Sequence, residues 1–538
     1  MTAVHEGMVW PPRALSEVIG TTTESKVWWK GGVEGLNEFY LHDNGSKRIG
    51  GTLARVKNAY DAFWGKQNLN PAQPIKKIHV PIAAGIIDLS AKSLFSKQLL
   101  FVDPTGDKQV QKRTDEIFNG DPFHSALYAS GASCSALGGN YQRVVWDPEV
   151  ADHAWIDFVD ADRAIPTFRW GRLLEVTFWS ELESDDDRIV WRHLERRVKG
   201  RIEHTLYQGT PSDLGRIQPL EAHPGTAGLA ALVDDGFGII TGVDELTAAY
   251  VPNKRPNPDW VDDPRLKDLG RSDINADTIP LLHGIDKIES SEIRDFDIGA
   301  ARMFASDDLL TNLGAGKGSM LPEDQAIFTR VGTGTKGDEL TSMFQFHQPE
   351  IRVEKHQLGK EGLVRELLKA AGYSPMSFGF SDEVAMTATE ASGKKEATVE
   401  TTEGKARYYS AALSPLATTC LRVDALMFPG KGKAPVERLE LEWPKFAEES
   451  DLSKSQTVMN WATAGAASTR TKVAYIHDDW DDKAIDDEAE LIDKANTLAA
   501  PDFGGGFGGD NPPLPADKPA DPAPADAPPA KDKPAFIK

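Results

Sequence analysis

The residues whose types and spacing could do chemistry fall into a few local groups. Residues 314–319 read GAGKGS, and a glycine-rich loop carrying a lysine can cradle phosphates through its backbone N–H groups. The spacing fails that chemistry: Thr311 stands where the phosphate loop needs a glycine, and Gly318 stands where it needs Ser or Thr. Ser133 lies in GASCS, which lacks the second glycine of a nucleophile elbow and falls within a helical pattern. Asp185, Asp186 and Asp187 are adjacent acids between two strand-like runs, the pattern of a solvated turn rather than of a metal cluster. The twelve histidines are scattered, with no His-Glu-x-x-His, and Cys134 and Cys420 stand alone, the pattern of small core residues. No catalytic constellation, metal site or cofactor site is expected from these groups.

The elements around them explain more. Residues 80–95, VPIAAGIIDLSAKSLF, place Ile82, Ile86, Ile87, Ser90, Leu94 and Phe95 at helical spacing. A second helix is predicted over residues 122–137, stopped by Gly138-Gly139 and followed by the strand NYQRVVW. LLEVTFW, RIVWRHLERRV and RIEHTLY then read as antiparallel hairpins, and residues 209–277 as loop-rich. A helix over residues 279–305, carrying Leu281, Leu282, Ile285, Ile288, Phe296 and Met303, would be a rod of roughly 40 Å. LGAGKGSMLP and VGTGTKGDE break the pattern, AIFTRV and SMFQFH read as short strands, and a helix resumes within residues 351–371 through Leu363, Val364, Leu367, Leu368 and Ala371. Two helices thus bracket a small β module and should pack as an αα pair with that module at their distal end. A Gly- and Ser-rich loop precedes a long helix over residues 397–428, with a kink expected at Pro415. An acidic helical unit covers residues 454–496. Residues 501–538 carry ten prolines and cannot bury enough to fold. Before residue 80 the sequence is poor in pattern.

A chain of 538 residues should hold several domains at about 150 residues each. No run approaches the roughly 18 apolar residues of a membrane span, and MTAVHEGMVWPP has no basic flank before an apolar run, so a cytoplasmic product is expected. The formal charge is −22, from 60 basic and 82 acidic side chains, which opposes a tight grip on nucleic acid but suits a surface that lets DNA slide past.

The element order resembles the portal proteins of long-tailed bacteriophages, in particular those of phages of actinobacteria. VPIAAGIIDLSAKSLF resembles the family's early wing helix, SALGGNYQRVVWD its helix-to-strand step, and FVDADRAIPTFRWGRLLEVTFW its wing sheet. GRSDINADTIPLLHGIDKIE is similar to the lead-in of the first stem helix, TATEASGKK to the segment after the second, and NWATAGAASTRTKVAYIHDDWDDKAIDDE to the terminal crown. The likeness spans residues 80–488 and rests on the joint order of short, diffuse motifs. It implies an α+β, multidomain portal fold: wing 1–276, first stem helix 277–305, clip 306–350, second stem helix 351–372, channel loop 373–396, wing and crown long helix 397–450, crown 451–499 and a disordered proline-rich tail 500–538.

The same resemblance implies a non-enzymatic ring of about twelve copies, a homododecamer at one capsid vertex of the virion, assembled in the host cytoplasm. Its partners would be the major capsid protein and scaffold, the terminase large subunit that drives packaging, the head-tail adaptor, and double-stranded DNA passing through without sequence reading; no membrane is involved. Candidate basic rings in an acidic channel are Arg330, Lys336, Arg352 and Lys355, which could equally balance Asp338, Glu350 and Glu354. The channel loop would touch DNA through Lys394 and Lys395, with Met376, Phe378 and Phe380 packing against the neighbouring subunit. A capsid-associated structural or scaffold protein without a channel, and a phosphoryl-transfer enzyme, are the other readings.

Overall fold

In the computed structural model, residues 4–42, 77–233, 238–298, 302–305, 311–312, 319–320, 344–347, 352–380, 388–446, 451–477 and 480–499 are described. They divide into two units, Met1–Glu449 and Ser450–Lys538. The first begins with a helix that the sequence pattern does not announce. Helix α1 (Ser16–Lys30) buries Val18, Thr22, Glu24, Ser25 and Trp28, so three of the five residues on its inward face are polar and no continuous apolar stripe marks it. Hydrogen bonds make that burial tolerable: Thr22 Oγ1 donates to Val18 O at 2.9 Å within the helix, and Ser25 Oγ to the distant Ile274 O at 2.8 Å.

Helix α2 (Ile82–Phe95) follows its apolar spacing and buries Ile86, Ile87, Ser90, Ala91, Leu94 and Phe95 along one stripe. Helix α3 (Asp121–Leu137) has proline in its first turn and stops at Gly138, which adopts φ 84°. A Cβ at Gly138 would sit 2.9 Å from Gly270 O, so only glycine permits the chain crossing there. Strand β1 (Gly139–Val145) leaves directly from this stop and pairs antiparallel with β2 (Trp155–Asp160).

The larger sheet is an antiparallel meander of β3 (Ala164–Arg169), β4 (Arg172–Leu182), β5 (Val190–Val198), β6 (Arg201–Thr210) and β7 (Asp213–Gln218), with Gly238–Ile240 also paired to β6. Residues 209–277 hold more order than their composition suggests. Beyond β7 they supply a short helix, Pro224–Ala230, and β8 (Ala248–Pro252), which completes a three-stranded sheet on the other side of β1. The partner strand, not local composition, stabilises so short a run.

Helix α4 (Ile279–Ile298) ends seven residues before the expected point; its 20 residues span about 30 Å. Arg302–Ala305 instead forms strand β9, paired antiparallel with β10 (Phe344–His347), Met303 opposite Phe346 and Phe304 opposite Gln345 in the register. Helix α5 (Val353–Ala371) follows and ends at Gly372, again left-handed. Helix α6 (Ala388–Met427) is 40 residues long and continues through Pro415. It starts earlier than expected: residues 388–396 are helical, and the expected loop 373–396 contains a 3-10 helix, Pro375–Phe378, as well. Ala388, Glu390, Ala391, Lys394, Lys395 and Glu396 are good helix formers, and one Gly393 in their midst costs only about 1 kcal/mol.

The second unit contains α7 (Asp451–Ala464), α8 (Thr469–Ile476) and α9 (Asp482–Ala499). Its core is small: Val473, Ile485 and Ala489. Arg470 on α8 bridges Asp486 at 2.6 Å and Asp482 at 2.8 Å on α9. The expected clip, 306–350, is described only at Thr311–Asn312, Ser319–Met320 and Phe344–His347, and the tail 500–538 lies outside the described residues. No helix among the described residues is long and apolar enough to cross a membrane.

Candidate functional site

The α4/α5 pair is antiparallel, as the order of its contacts shows. Gly284 faces Leu363, where a Cβ would meet Leu363 Cδ1 at 2.9 Å, and Gly359 faces Ile288 one turn further out. The small residues let the helices approach closely. Polar contacts continue the seam outward: the ion pair Lys360 Nζ to Glu289 at 2.8 Å, then His356 Nε2 at 2.9 Å and the Arg352 guanidinium at 3.0 Å, both on Asp295. The hydrogen bond from His356, then Arg352, holds the Asp295 carboxyl below its ordinary range against the opposing pull of burial.

At the other end the pair is sunk into an apolar core. Leu282 and Ile285 of α4 and Val364, Leu367, Leu368 and Ala371 of α5 meet Trp28 of α1, Ile86 and Ile87 of α2 and Leu137 of α3. Full burial of such a side chain contributes about 1.5–3 kcal/mol, so this root outweighs every exposed contact further along the pair.

A polar cluster is built into the root. Asp273, just before α4, accepts on Oδ2 from Ser135 Oγ at 2.6 Å, Lys405 Nζ at 2.7 Å and Tyr373 OH at 3.0 Å. Its Oδ1 accepts from Asn253 Nδ2 at 2.9 Å and lies 3.1 Å from Lys254 Nζ. Lys405 also donates to Ser90 Oγ at 2.7 Å and Tyr373 OH at 2.8 Å, and Lys254 to Ala371 O. Burial pushes the Asp273 carboxyl up, but Lys254 and Lys405 outweigh it and hold it well below the usual carboxylate range. Burial, reinforced by Asp273, keeps the Tyr373 phenol protonated far above its ordinary value. Six segments meet here: α2, α3, the residues after β8, those before α4, those after α5, and α6. The carboxylate's bonds are all spent on protein groups, so the arrangement holds parts together and offers no face to a substrate.

Beside it lies a second cluster. Glu24 accepts from Tyr40 OH at 2.5 Å, and burial outweighs that bond to push its carboxyl up to about 7. His79 Nδ1 lies 2.9 Å from Asp286 Oδ2, and burial raises the Asp286 carboxyl against the pull of His79. His283 stacks edge-on to Trp28 with ring centroids 4.8 Å apart, and burial pushes its imidazole down to about 3.

The sequence-predicted site residues are not brought together. Arg330 and Lys336 lie outside the described residues. Arg352 caps α5 and is spent on Asp295; Lys355, one turn of chain later, is exposed with no ion partner among the described residues. Lys394 and Lys395 lie within helix α6 rather than on a loop. Phe378 packs within its own chain, since a Cβ at Gly85 of α2 would meet its ring at 2.7 Å. Phe380 stacks parallel to Phe378 at 6.3 Å, with Arg365 over its ring at 5.7 Å. Both rings are partly buried against the root core. Ser133 donates to Asp160 at 2.5 Å from mid-helix, and Asp185, Asp186 and Asp187 form an exposed turn. Residues 314–318 of GAGKGS lie outside the described residues, and among the described residues no group of three or more His, Cys, Asp or Glu could hold a metal. Cys134 and Cys420 are both buried, and burial pushes the Cys134 thiol up to about 12.

The root cluster itself escapes motif reading, yet one trace of it exists in the sequence. Lys405 sits in the buried stripe Thr398, Thr402, Lys405, Tyr409, Leu413, Leu416 of α6, and a lysine on an inward stripe demands a buried anion.

No protein-family profile and no curated protein sequence matches the chain. Among solved structures, a chain from the neck of a native GTA particle, computed with C12 symmetry, is 14% identical, covers 74% of this chain and 89% of its own, and has a TM-score of 0.36. A chain from the neck of an empty GTA particle, computed with C6 symmetry, is 14% identical over 77% of this chain and 94% of its own, at a TM-score of 0.37.

Proposed function

We propose that this chain is the subunit of a portal ring, a passive conduit through which double-stranded DNA enters and leaves a phage-type capsid at one vertex. The observation that carries the reading is the antiparallel α4/α5 pair, rooted in an α/β core, seamed by ion pairs, and interrupted by an inserted segment that opens with the β9/β10 ribbon. A ring of such hairpins needs stiffness along the axis and a charged, non-adhesive wall, which the seam and the net charge of −22 supply. The order of sequence motifs over residues 80–488 points the same way.

In this reading α4 and α5 line the channel and residues 306–350 form the outer collar. The terminase motor docks there during packaging and the head-tail adaptor afterwards, while the wing meets scaffold and capsid protein. DNA is touched through phosphates alone, because a conduit must pass every sequence. Arg330, Lys336, Arg352, Lys355, Lys394 and Lys395 are the positions where such contacts are to be sought. Electron microscopy of the purified chain tests the proposal: closed rings with an axial hole are expected, and a uniformly monomeric or hole-less particle overturns it in favour of a channel-less capsid component.

A further inference from the structure

The sides of α4 and α5 turned out of their common seam carry charge in two separate stripes. On α4, Lys287 and Arg294 are exposed and Ser291 between them is partly so; on α5, Glu354, Leu358 and Glu361 are all exposed. Each set has the spacing i, i+4, i+7, which keeps three side chains on one stripe of a helix. The first stripe is basic at both ends with a small residue in its middle. The second is acidic at both ends, and its middle residue, Leu358, is 70% exposed. Arg294, Glu354 and Glu361 have no ion partner among the described residues, whereas Lys360 and Arg352 of the seam are matched to Glu289 and Asp295.

The two stripes lie at the same levels along the pair. Arg294 precedes Asp295, whose partners Arg352 and His356 bracket Glu354. Lys287 precedes Ile288, which faces Gly359, and so stands level with Glu361 to within about two residues, roughly 3 Å. Because the helices are antiparallel, base, serine, base on α4 runs in step with acid, leucine, acid on α5. Within one chain the stripes are nonetheless held apart. Gly359, Lys360 and Leu363 take the seam side of α5, and the body of that helix, roughly 10 Å across, stands between the seam and the acidic stripe.

We infer that the Lys287, Ser291, Arg294 stripe of one copy packs against the Glu354, Leu358, Glu361 stripe of the next, with Leu358 seated over Ser291 between the two cations. The inference rests on the ring reading and names a contact within it. Rotation about a ring axis changes no atom's height, so for helix pairs that run along the axis the levels matched within one chain stay matched between neighbours. A basic face on one helix and an acidic face on the other make the contact head-to-tail, the type that propagates into a ring when the rotation closes. Pairing two copies of the same face instead would set charges of one sign against each other, which excludes the symmetric dimer.

Charge reversal on the full-length chain tests the contact. Arg294→Glu sets like charges against Glu354 of the neighbour, and Glu354→Arg does the same from the other side. Each variant alone should need about tenfold more protein to assemble at low salt, with the deficit shrinking in molar salt. The chain carrying both reversals should assemble near the wild-type concentration, a rescue that a folding defect in either single variant could not give. Single variants that assemble like the wild type, or a double variant no better than the singles, overturn the contact. Cross-linking separates it from the ring itself. Chains carrying Ser291→Cys, mixed with chains carrying Leu358→Cys and oxidised, should give covalent dimers that neither gives alone, the two native cysteines being buried. Closed rings without that cross-link overturn the contact and leave the ring standing. Cross-linked open chains without closed rings would uphold the contact and sink the ring.

Discussion

The two ends of the α4/α5 pair use similar groups in opposite surroundings. At the root, Asp273 and Lys405 meet at 2.7 Å with side chains 0% and 4% exposed; at the far end, Asp295 and Arg352 meet at 3.0 Å with side chains 20% and 57% exposed. Water and salt can replace either partner at the far end, so that pair contributes about 0–1 kcal/mol. At the root neither charge can be rehydrated in place, so the pair adds little net stability over an apolar equivalent yet is costly to break from one side. The root therefore fixes the direction in which the pair leaves the core, while the far end is free to vary in charge.

Breaking the root from one side should give the largest effect. Asp273→Ala strands Lys405 in the core and is expected to cost about 3–5 kcal/mol in urea denaturation. Lys405→Met should cost clearly less, because Lys254 and Asn253 still serve the carboxylate. Equal losses would show that the cluster has no centre at Asp273.

The pH dependence sharpens the contrast within the root. The Asp273 carboxyl is lower when folded than unfolded, so its contribution is present above the ordinary carboxylate range and is lost as pH falls towards the folded value. Glu24 works in the opposite sense. Its folded carboxyl sits at about 7 against an ordinary 4.5, so the folded state holds a proton the unfolded state has released, and stability falls as pH rises through that window. Glu24→Gln should flatten the melting temperature between those values, removing a slope worth up to about 3 kcal/mol. An unchanged slope would place the titration elsewhere.

At the far end, Arg352→Ala should change stability by no more than about 1 kcal/mol, with the difference vanishing in molar salt. A larger, salt-insensitive loss would mean that the two ends are not different in kind. If Arg352 also faces DNA, the same variant should alter packaging rate or its salt dependence with ring assembly intact. Deleting residues 501–538 should have the smallest effect of all, leaving melting temperature and assembly unchanged, since ten prolines in that stretch offer no core.

What could be read along the chain was whatever one period announces. The stripe of α2, the alternation through β4, β5 and β6 and the apolar seam of α4 and α5 each repeat at 3.6 or 2 residues, the glycine stop of α3 is a local signal, and the fold uses them as such. α1 was hidden because its buried face sets Thr22, Glu24 and Ser25 among Val18 and Trp28, and it takes Tyr40 and Ile274, far along the chain, to make Glu24 and Ser25 compatible with burial. The end of α4 was misplaced because Met303 in the sequence fits a helical spacing and a strand equally well, and only the pairing of Arg302–Ala305 with Phe344–His347 decides between them.

The sequence by itself determined the α+β order of elements, the pairing of two helices around an inserted segment, and a charge unsuited to gripping nucleic acid, because these depend on local spacing and on sums. Only the tertiary structure decided that Asp273 and Lys405, 132 positions apart, share one hydrogen-bond network, and that Phe378 packs against α2. It alone also set Trp170 outward in a strained turn. Those outcomes depend on which groups are deprived of water together, and that is a property of packing that no window of sequence contains.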